Sequence, residues 1–183
     1  MPTREEKYKT FQALHERPGI FLIPNPFNPG TAKILTALGF EALATTSAGY
    51  AFNAGRTDSN TAITREGVLA NATEIVEATD LPVSADLQDG FGRSPESCAE
   101  TIRLAAQTGL AGGSIEDATG DESDPIYEFK LAVERVAAAA KVAVVPATLV
   151  LLAGGWVMAG GGSTVSRALE LVAEPKRLVT RSE

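Results

Sequence analysis

Three stretches carry acids at nearly regular intervals: Gly55-Arg56-Thr57-Asp58, Pro82-Val83-Ser84-Ala85-Asp86 and Gly113-Ser114-Ile115-Glu116-Asp117. The steps between Asp58, Asp86 and Glu116 are close to the ~30 residues of a strand–helix repeat, and each acid closes a strand-like run. Where parallel strands surround one mouth, residues at their C-terminal ends face each other. Carboxylates gathered there repel unless a cation holds them, and oxygen donors of this kind suit Mg2+ or Mn2+. The spacing therefore predicts a metal-dependent enzyme on a barrel scaffold.

Within Asp86-Leu87-Gln88-Asp89-Gly90, Asp86 is the candidate ligand and Gln88 reaches an ion through water. The competing reading is an ordinary Asp-Gly surface turn. Glu116-Asp117 reads equally as an acidic cap before the next helix, and Asp58 alone is no more than a loop aspartate. Ser47 and Gly49 follow a predicted strand, where small residues let backbone N–H groups approach a ligand carboxylate. Ser47 is a poor nucleophile, because the single histidine, His15, lies on the first predicted helix and a Ser–His–Asp arrangement has no base. Cys98 falls inside a helical pattern and reads as a small core residue. The Asp121-Glu122-Ser123-Asp124 run reads as a solvated loop that could cover the mouth.

The elements that must position these residues alternate along the chain. Periodicity predicts a helix over 4–16, ended by Pro18-Gly19, then strand one over Ile20 to Ile23 and a rigid loop from Pro24 to Gly30. A helix over Thr31 to Leu38 leads to strand two, Ala42 to Thr46, and a loop of small residues from Ser47 to Asp58. Next come a helix over Thr64 to Ala78, strand three over Leu81 to Ala85, and a helix from Ser94 to Thr108 with Ser94-Pro95 at its start. Strand four is Gly112 to Ile115. A helix over Asp124 to Ala140 precedes strand five, Val142 to Leu152, and a short last helix is expected over Arg167 to Ala173. Alternation of this kind means a parallel α/β sheet. The expected fold is an incomplete (β/α)8 barrel of about the first five units, in one domain, since eight units need typically ~250 residues. An open doubly wound parallel sheet is the alternative. Gly90-Phe91-Gly92 does not complete a dinucleotide fingerprint, and no phosphate loop is present.

The chain has 183 residues, 44% of them hydrophobic, and a net charge of -7, enough for one domain with a core. The absence of a basic cluster argues against nucleic-acid binding. One cysteine permits no internal disulfide, so a reducing cytoplasm is expected. The charged N-terminus argues against a leader peptide. Lys141 to Arg167 encloses no charge, but Pro146 and the glycines at 154, 155, 160, 161 and 162 break any membrane helix. A buried strand followed by a glycine-rich loop is the better reading.

Ile23-Pro24-Asn25-Pro26-Phe27-Asn28, Thr46-Ser47-Ala48-Gly49, Gly55-Arg56-Thr57-Asp58, Ser84 through Gly92 and Gly113 through Ala118 occur in order. Together, over about residues 10–140, they resemble the isocitrate lyase / phosphoenolpyruvate mutase superfamily. The resemblance implies a (β/α)8 barrel, Mg2+, and a 2-oxo or 2-hydroxy carboxylic acid substrate. It implies C–C or P–C chemistry through an enolpyruvate-like intermediate. By the same resemblance Asp86 is the metal-site aspartate, Gln88 stands where many members have a second acid, and Glu116 is the metal-shell glutamate. Asp58 is the loop aspartate near the reacting centre, and Ser47, Ala48 and Gly49 hold the substrate's carboxylate and oxo oxygens. Mg2+ would act as a Lewis acid on the developing enolate.

Three departures shape the expectation. Gln88 removes one negative charge. The Lys-Lys-Cys-Gly-His loop of isocitrate and methylisocitrate lyases is replaced by Asp117-Ala118-Thr119-Gly120-Asp121, which shifts the reading towards oxaloacetate decarboxylase-like or phosphonomutase-like members. After strand five the family's substrate-binding arginine is missing, and no arginine occurs before Arg167. The tail over 141–183 reads as divergent, as truncation or a shifted reading frame would produce. The expected activity is Mg2+-dependent lyase or decarboxylase chemistry. The alternatives are a phosphonopyruvate mutase or hydrolase, and an inactive fragment or oligomerising subunit. Exposed strand edges predict a homo-oligomer.

Overall fold

Parallel strands need a crossover after each strand, and the chain supplies one every time. The computed structural model describes residues 1–59, 62–143 and the backbone of 150–153. Among these the order is α1 (Arg4–Glu16), α2 (Pro29–Ala37), β1 (Leu43–Ala44), α3 (Ser47–Asn53), α4 (Arg65–Glu77), β2 (Val83–Asp86), α5 (Pro95–Ala105), β3 (Gly112–Ile115), α6 (Phe129–Ala143) and β4 (Val150–Ala153). The four strands form one sheet in the order β1-β2-β3-β4, every pair parallel. A doubly wound sheet reverses its strand order at a switch point. This sheet does not among the described strands, so that alternative is set aside in favour of barrel-type winding.

Polar residues at the expected positions start the helices. Thr64 and Ser94 accept the Gly67 and Ser97 N–H groups, and Pro95 takes the first position of α5, where no N–H is needed. Thr3 and Glu6 close a reciprocal capping box on α1. The strands are short, and β2 is buried on both faces, with Val83, Ser84 and Ala85 all out of solvent, as expected of a parallel sheet covered by helices. Val68, Ala72 and Ile75 of α4, Ile102 and Ala105 of α5, and Ala139 of α6 join Leu43, Val83 and Ile115 in the main core.

Helix α1 covers the opposite end of the sheet from the acids. Its Phe11 is fully buried with Leu14, Ala42 and Ala111. It lies so close over Gly112 that a Cβ there would meet the Phe11 ring at 2.5 Å. Lys7 of the same helix is buried and donates to the Thr79 and Val76 carbonyls at 2.7 and 3.3 Å. It thereby satisfies the open C-terminal end of α4, and burial holds its ammonium below the usual lysine range.

Four expectations need correction. Ile20 to Ile23 is not a strand. The segment meets β1 through one backbone bond, Ala44 N–H to the Pro24 carbonyl at 3.1 Å, and the Asn25 side chain donates to the Ala44 carbonyl at 3.0 Å. Pro24 and Pro26 have no N–H with which to extend a ladder. Ser47 onwards is not a loop but helix α3, because Thr46 caps it by accepting from Gly49 N–H. Helix α6 begins at Phe129 rather than Asp124, since 117–127 folds back on itself through an Ala118–Ile126 antiparallel bridge. Of the expected strand five, Val142 and Ala143 belong to α6, and among the described residues the strand is β4, Val150–Ala153. The expected glycine-rich loop, the helix over Arg167 to Ala173 and most of the 141–183 tail lie outside the described residues. Among the described residues no helix is long and apolar enough to cross a membrane.

Candidate active site

Asp86 is the last residue of β2, and Glu116 is the first residue after β3. The two strands are paired in register, with Asp86 opposite Ser114, so both acids emerge at the same end of the sheet. The pairing continues past the strands. Leu87 N–H donates to the Ser114 carbonyl at 3.2 Å, and Glu116 N–H to the Gln88 carbonyl at 2.8 Å. Asp58 does not close a strand. It follows α3 and the turn through Ala54 and Gly55, yet it arrives near enough to act on Glu116.

That proximity shows in the electrostatics. The Glu116 carboxyl is pushed above the usual range first by burial, then by the negative charges of Asp86, Asp58, Asp89 and Asp117. All three acids singled out by their spacing therefore share one electrostatic neighbourhood, together with Asp89 and Asp117.

The Asp86 carboxylate is held by backbone N–H groups. Ser47 N–H donates to Oδ2 at 2.9 Å and Gln88 N–H to Oδ1 at 3.0 Å. Asp86 N–H in turn donates to Thr45 Oγ1 at 3.1 Å. Each carboxylate oxygen keeps acceptor capacity for a cation. The N–H groups of Ser47 and Gly49 are thus committed to Asp86 and Thr46. Gly49 has a packing reason as well: a Cβ there would sit 2.6 Å from Thr46 Cγ2 and 3.0 Å from Phe27 Cβ. Ala48 lies beside them in the first turn of α3, half-buried.

Gln88 occupies the left-handed region at φ 48°, and Phe91 does so at φ 57°. The Gln88 side chain is buried, and its Oε1 has no hydrogen-bond partner. An orphaned buried carbonyl oxygen costs free energy unless something donates or coordinates to it. Among the described residues no three of His, Cys, Asp and Glu stand close enough to cage an ion by themselves. A site offering Asp86, an amide oxygen and a nearby Glu116 fits Mg2+, which is usually bound by one or two carboxylates with waters and substrate completing the shell.

The loop from Asp89 to Gly92 is anchored from behind. Thr101 O–H donates to the Gly90 carbonyl at 2.7 Å, and Cys98 Sγ approaches the Asp89 carbonyl at 3.6 Å. Cys98 is fully buried, and burial pushes its thiol up, which suits the expected core role. Arg135 and Tyr127 were not visible as site residues in the sequence. Tyr127 O–H donates to Asp89 Oδ2 at 2.9 Å, and the Arg135 guanidinium donates to the Asp89 and Gly92 carbonyls. One signal was available: Arg135, Ala139 and Ala143 fall at i, i+4 and i+8, so the arginine sits on the buried stripe of α6. A cleft of about 550 Å3 opens on the Asp89 side of the loop, lined among others by Thr64, Arg65, Arg93, Thr119 and Tyr127 and not by Asp86, Gln88 or Glu116. That is room for a small organic acid.

Known proteins share this arrangement of strands and helices. A family model described as phosphoenolpyruvate phosphomutase matches residues 11–155. The chain is 30% identical over 115 residues to 2-methylisocitrate lyase of Bacillus subtilis strain 168, covering 63% of this chain and 38% of that protein. A solved structure of a provisionally named lyase/mutase from Burkholderia cenocepacia J2315 is 52% identical. Its TM-score is 0.78, and the match covers 82% of this chain and 53% of that one. Oxaloacetate acetylhydrolase, solved with its product oxalate, has a TM-score of 0.75 at 22% identity, covering 91% and 60%. At that identity the likeness concerns the fold, a TIM-barrel type of which this chain carries a part. The chain spans about half or less of the length of most of these relatives.

Proposed function

The chain belongs to the phosphoenolpyruvate phosphomutase family, and from that premise we propose that its site supports divalent-cation-assisted lyase or decarboxylase chemistry on a small 2-oxo or 2-hydroxy carboxylic acid. The observation that carries this reading is the buried, orphaned Gln88 Oε1 beside an Asp86 carboxylate fixed by two backbone N–H groups, with Glu116 at the same end of the sheet and the negative charges of Asp86, Asp58 and Asp89 acting on it. Like charges gathered in one mouth are a stored cost that a bound cation removes. The family resemblance, in which lyases recur among the relatives, supplies the reaction class.

In this reading Asp86 would hold Mg2+, or Mn2+ in its place, with Gln88 Oε1 and Glu116 completing the protein's share, directly or through water. Bound there, the cation would supply Lewis-acid stabilisation of an enolate-type oxygen. The chain's own residues do the rest. Ser47 N–H fixes the Asp86 carboxylate so that it does not reorient when substrate arrives. Ser47, Ala48 and Gly49 carry little side-chain volume, which leaves room for the carboxylate and oxo oxygens of a planar oxo-acid against the start of α3. Asp58 stands near the reacting carbon as the group that takes or returns a proton there, and Glu116 serves in the cation's shell.

A second reading, P–C bond chemistry on phosphonopyruvate, is favoured by the family model's own description. One experiment separates the two: incubation of the full chain with oxaloacetate or phosphonopyruvate and Mg2+, with products followed by proton and phosphorus NMR. Mg2+-dependent conversion of oxaloacetate to pyruvate and CO2, or by addition of water to oxalate and acetate with the acetate methyl followed, above the rate with Mg2+ alone and abolished by Asp86→Asn, is expected. Turnover of phosphonopyruvate alone would transfer the reading to the mutase side. Turnover untouched by Asp86→Asn would overturn the site assignment.

A further inference from the structure

The fold places one guanidinium where it touches both loops of the mouth. Arg135 is 1% exposed, and its two terminal nitrogens donate to the carbonyls of Asp89 and Gly92, the latter at 2.6 Å. Its Cζ lies 3.9 Å from the centre of the Tyr127 ring, while Arg93 covers Tyr127 at 5.4 Å. Tyr127 belongs to the other loop, its N–H bonded to the Asp117 carbonyl at 2.8 Å. Its O–H crosses to Asp89 Oδ2.

From these contacts we propose that Arg135 and Tyr127 form a latch that sets the Asp86–Gly92 loop, which makes Arg135 a positioning residue for the acid site. A buried guanidinium is expensive, and apolar residues of similar volume commonly serve stability as well or better. Here its donors are directed at backbone carbonyls of a loop that carries two non-glycine residues in the left-handed region, Gln88 and Phe91. Such conformations persist only when their surroundings over-determine them. The chain of bonds runs from Arg135 to Asp89, and through adjacent Gln88 to both acids, since the Gln88 carbonyl receives Glu116 N–H and its own N–H binds Asp86. Tyr127 ties the second loop to the same point, so the two loops are set together. For its effect on the cation this inference rests on the function proposed above; its effect on the loop does not.

The test uses Tyr127→Phe, which keeps the ring under Arg135 and removes only the bond to Asp89. Arg135→Lys, which keeps the charge and loses the planar fork, is the second variant. Two readouts are taken on the full chain: amide hydrogen exchange at Gln88 and Glu116 without metal, and Mn2+ binding followed by electron paramagnetic resonance. In Tyr127→Phe the two amides are expected to exchange about tenfold faster, in a protein that still unfolds cooperatively. Mn2+ binding is expected to weaken at least tenfold, in line with residues that orient metal ligands. Exchange at both amides unchanged in a folded Tyr127→Phe protein would overturn the latch whatever the metal does. Absence of Mn2+ binding by the unmodified chain would instead sink the functional reading, leaving the exchange result to decide the latch. If Arg135→Lys does not fold, Tyr127→Phe alone decides.

Discussion

Gly90→Ala tests how the loop bearing the acid site is held. Gly90 has φ +78°, in the region where an L-residue pays about 1 kcal/mol. A methyl built on it would lie 2.8 Å from Cys98 Sγ, 3.2 Å from Cys98 Cα and 3.4 Å from Cys98 Cβ. Cys98 cannot retreat, being fully buried in the first turn of α5, and one of the opposing atoms is backbone. Overpacking of this kind costs about 1–3 kcal/mol, so the substitution should destabilise by about 3 kcal/mol in all. The same shift would stretch the Thr101 bond to the Gly90 carbonyl. That is a large share of the roughly 5–15 kcal/mol of a typical domain. Urea unfolding followed by circular dichroism gives the change, read at constant denaturant slope. In a Cys98→Ala background the clash with sulfur is gone, while the left-handed cost and the crowding against the α5 backbone remain. About 1 kcal/mol should therefore be recovered, appearing as coupling between neighbouring sites. A Gly90→Ala effect under about 0.5 kcal/mol, the ordinary range for an unconstrained surface site, or no recovery in the second background, would refute the picture of a loop wedged against α5.

Phe11→Ala should cost about 3–5 kcal/mol, because the ring is fully buried over Gly112; the same urea assay measures it. The raised carboxyl of Glu116 gives a pH dependence of known sign. Its folded-state affinity for a proton exceeds the unfolded one, so its contribution is full below the ordinary glutamate value, about 4.3. That contribution is lost as pH climbs through the raised folded value. The metal-free protein should therefore melt at falling temperature along that rise, and Glu116→Gln should flatten this arm of the profile. The same variant should melt higher than the unmodified chain at neutral pH without metal, checked by calorimetry.

Much of the scaffold was legible because local chemistry agreed with tertiary need. Thr64 and Ser94-Pro95 announce α4 and α5, and Gly112 to Ile115 is a strand in both readings. The acids were legible through their spacing, although Asp58 reaches the cluster from beyond α3 rather than from a strand end. Helix α3 was hidden because Ser47, Ala48 and Gly49 look like a loop. Gly49 is there for close packing on Phe27 and Thr46, which no local pattern displays. Helix α6 starts after Asp124 because Pro125, a residue type that commonly opens helices, instead offers its carbonyl to Thr119 N–H within the folded-back loop. Arg135 shares a helical stripe with Ala139 and Ala143, but that stripe alone does not show what the arginine binds. Its burial depends on Tyr127 and on carbonyls more than forty residues away in the chain, a relation that exists only once the sheet has formed.

The central claim is that Asp86, Gln88 and Glu116 form a cation site for a planar oxo-acid. Its most direct test is a thermal melt of the full chain with Mg2+, with oxalate, and with both. Oxalate imitates the planar enolpyruvate such a site would hold, and a ligand that binds only the folded state raises the midpoint by mass action. The expected result is a rise that requires both additions and vanishes in Asp86→Asn. A midpoint indifferent to both, or a rise that survives in Asp86→Asn, would contradict the claim.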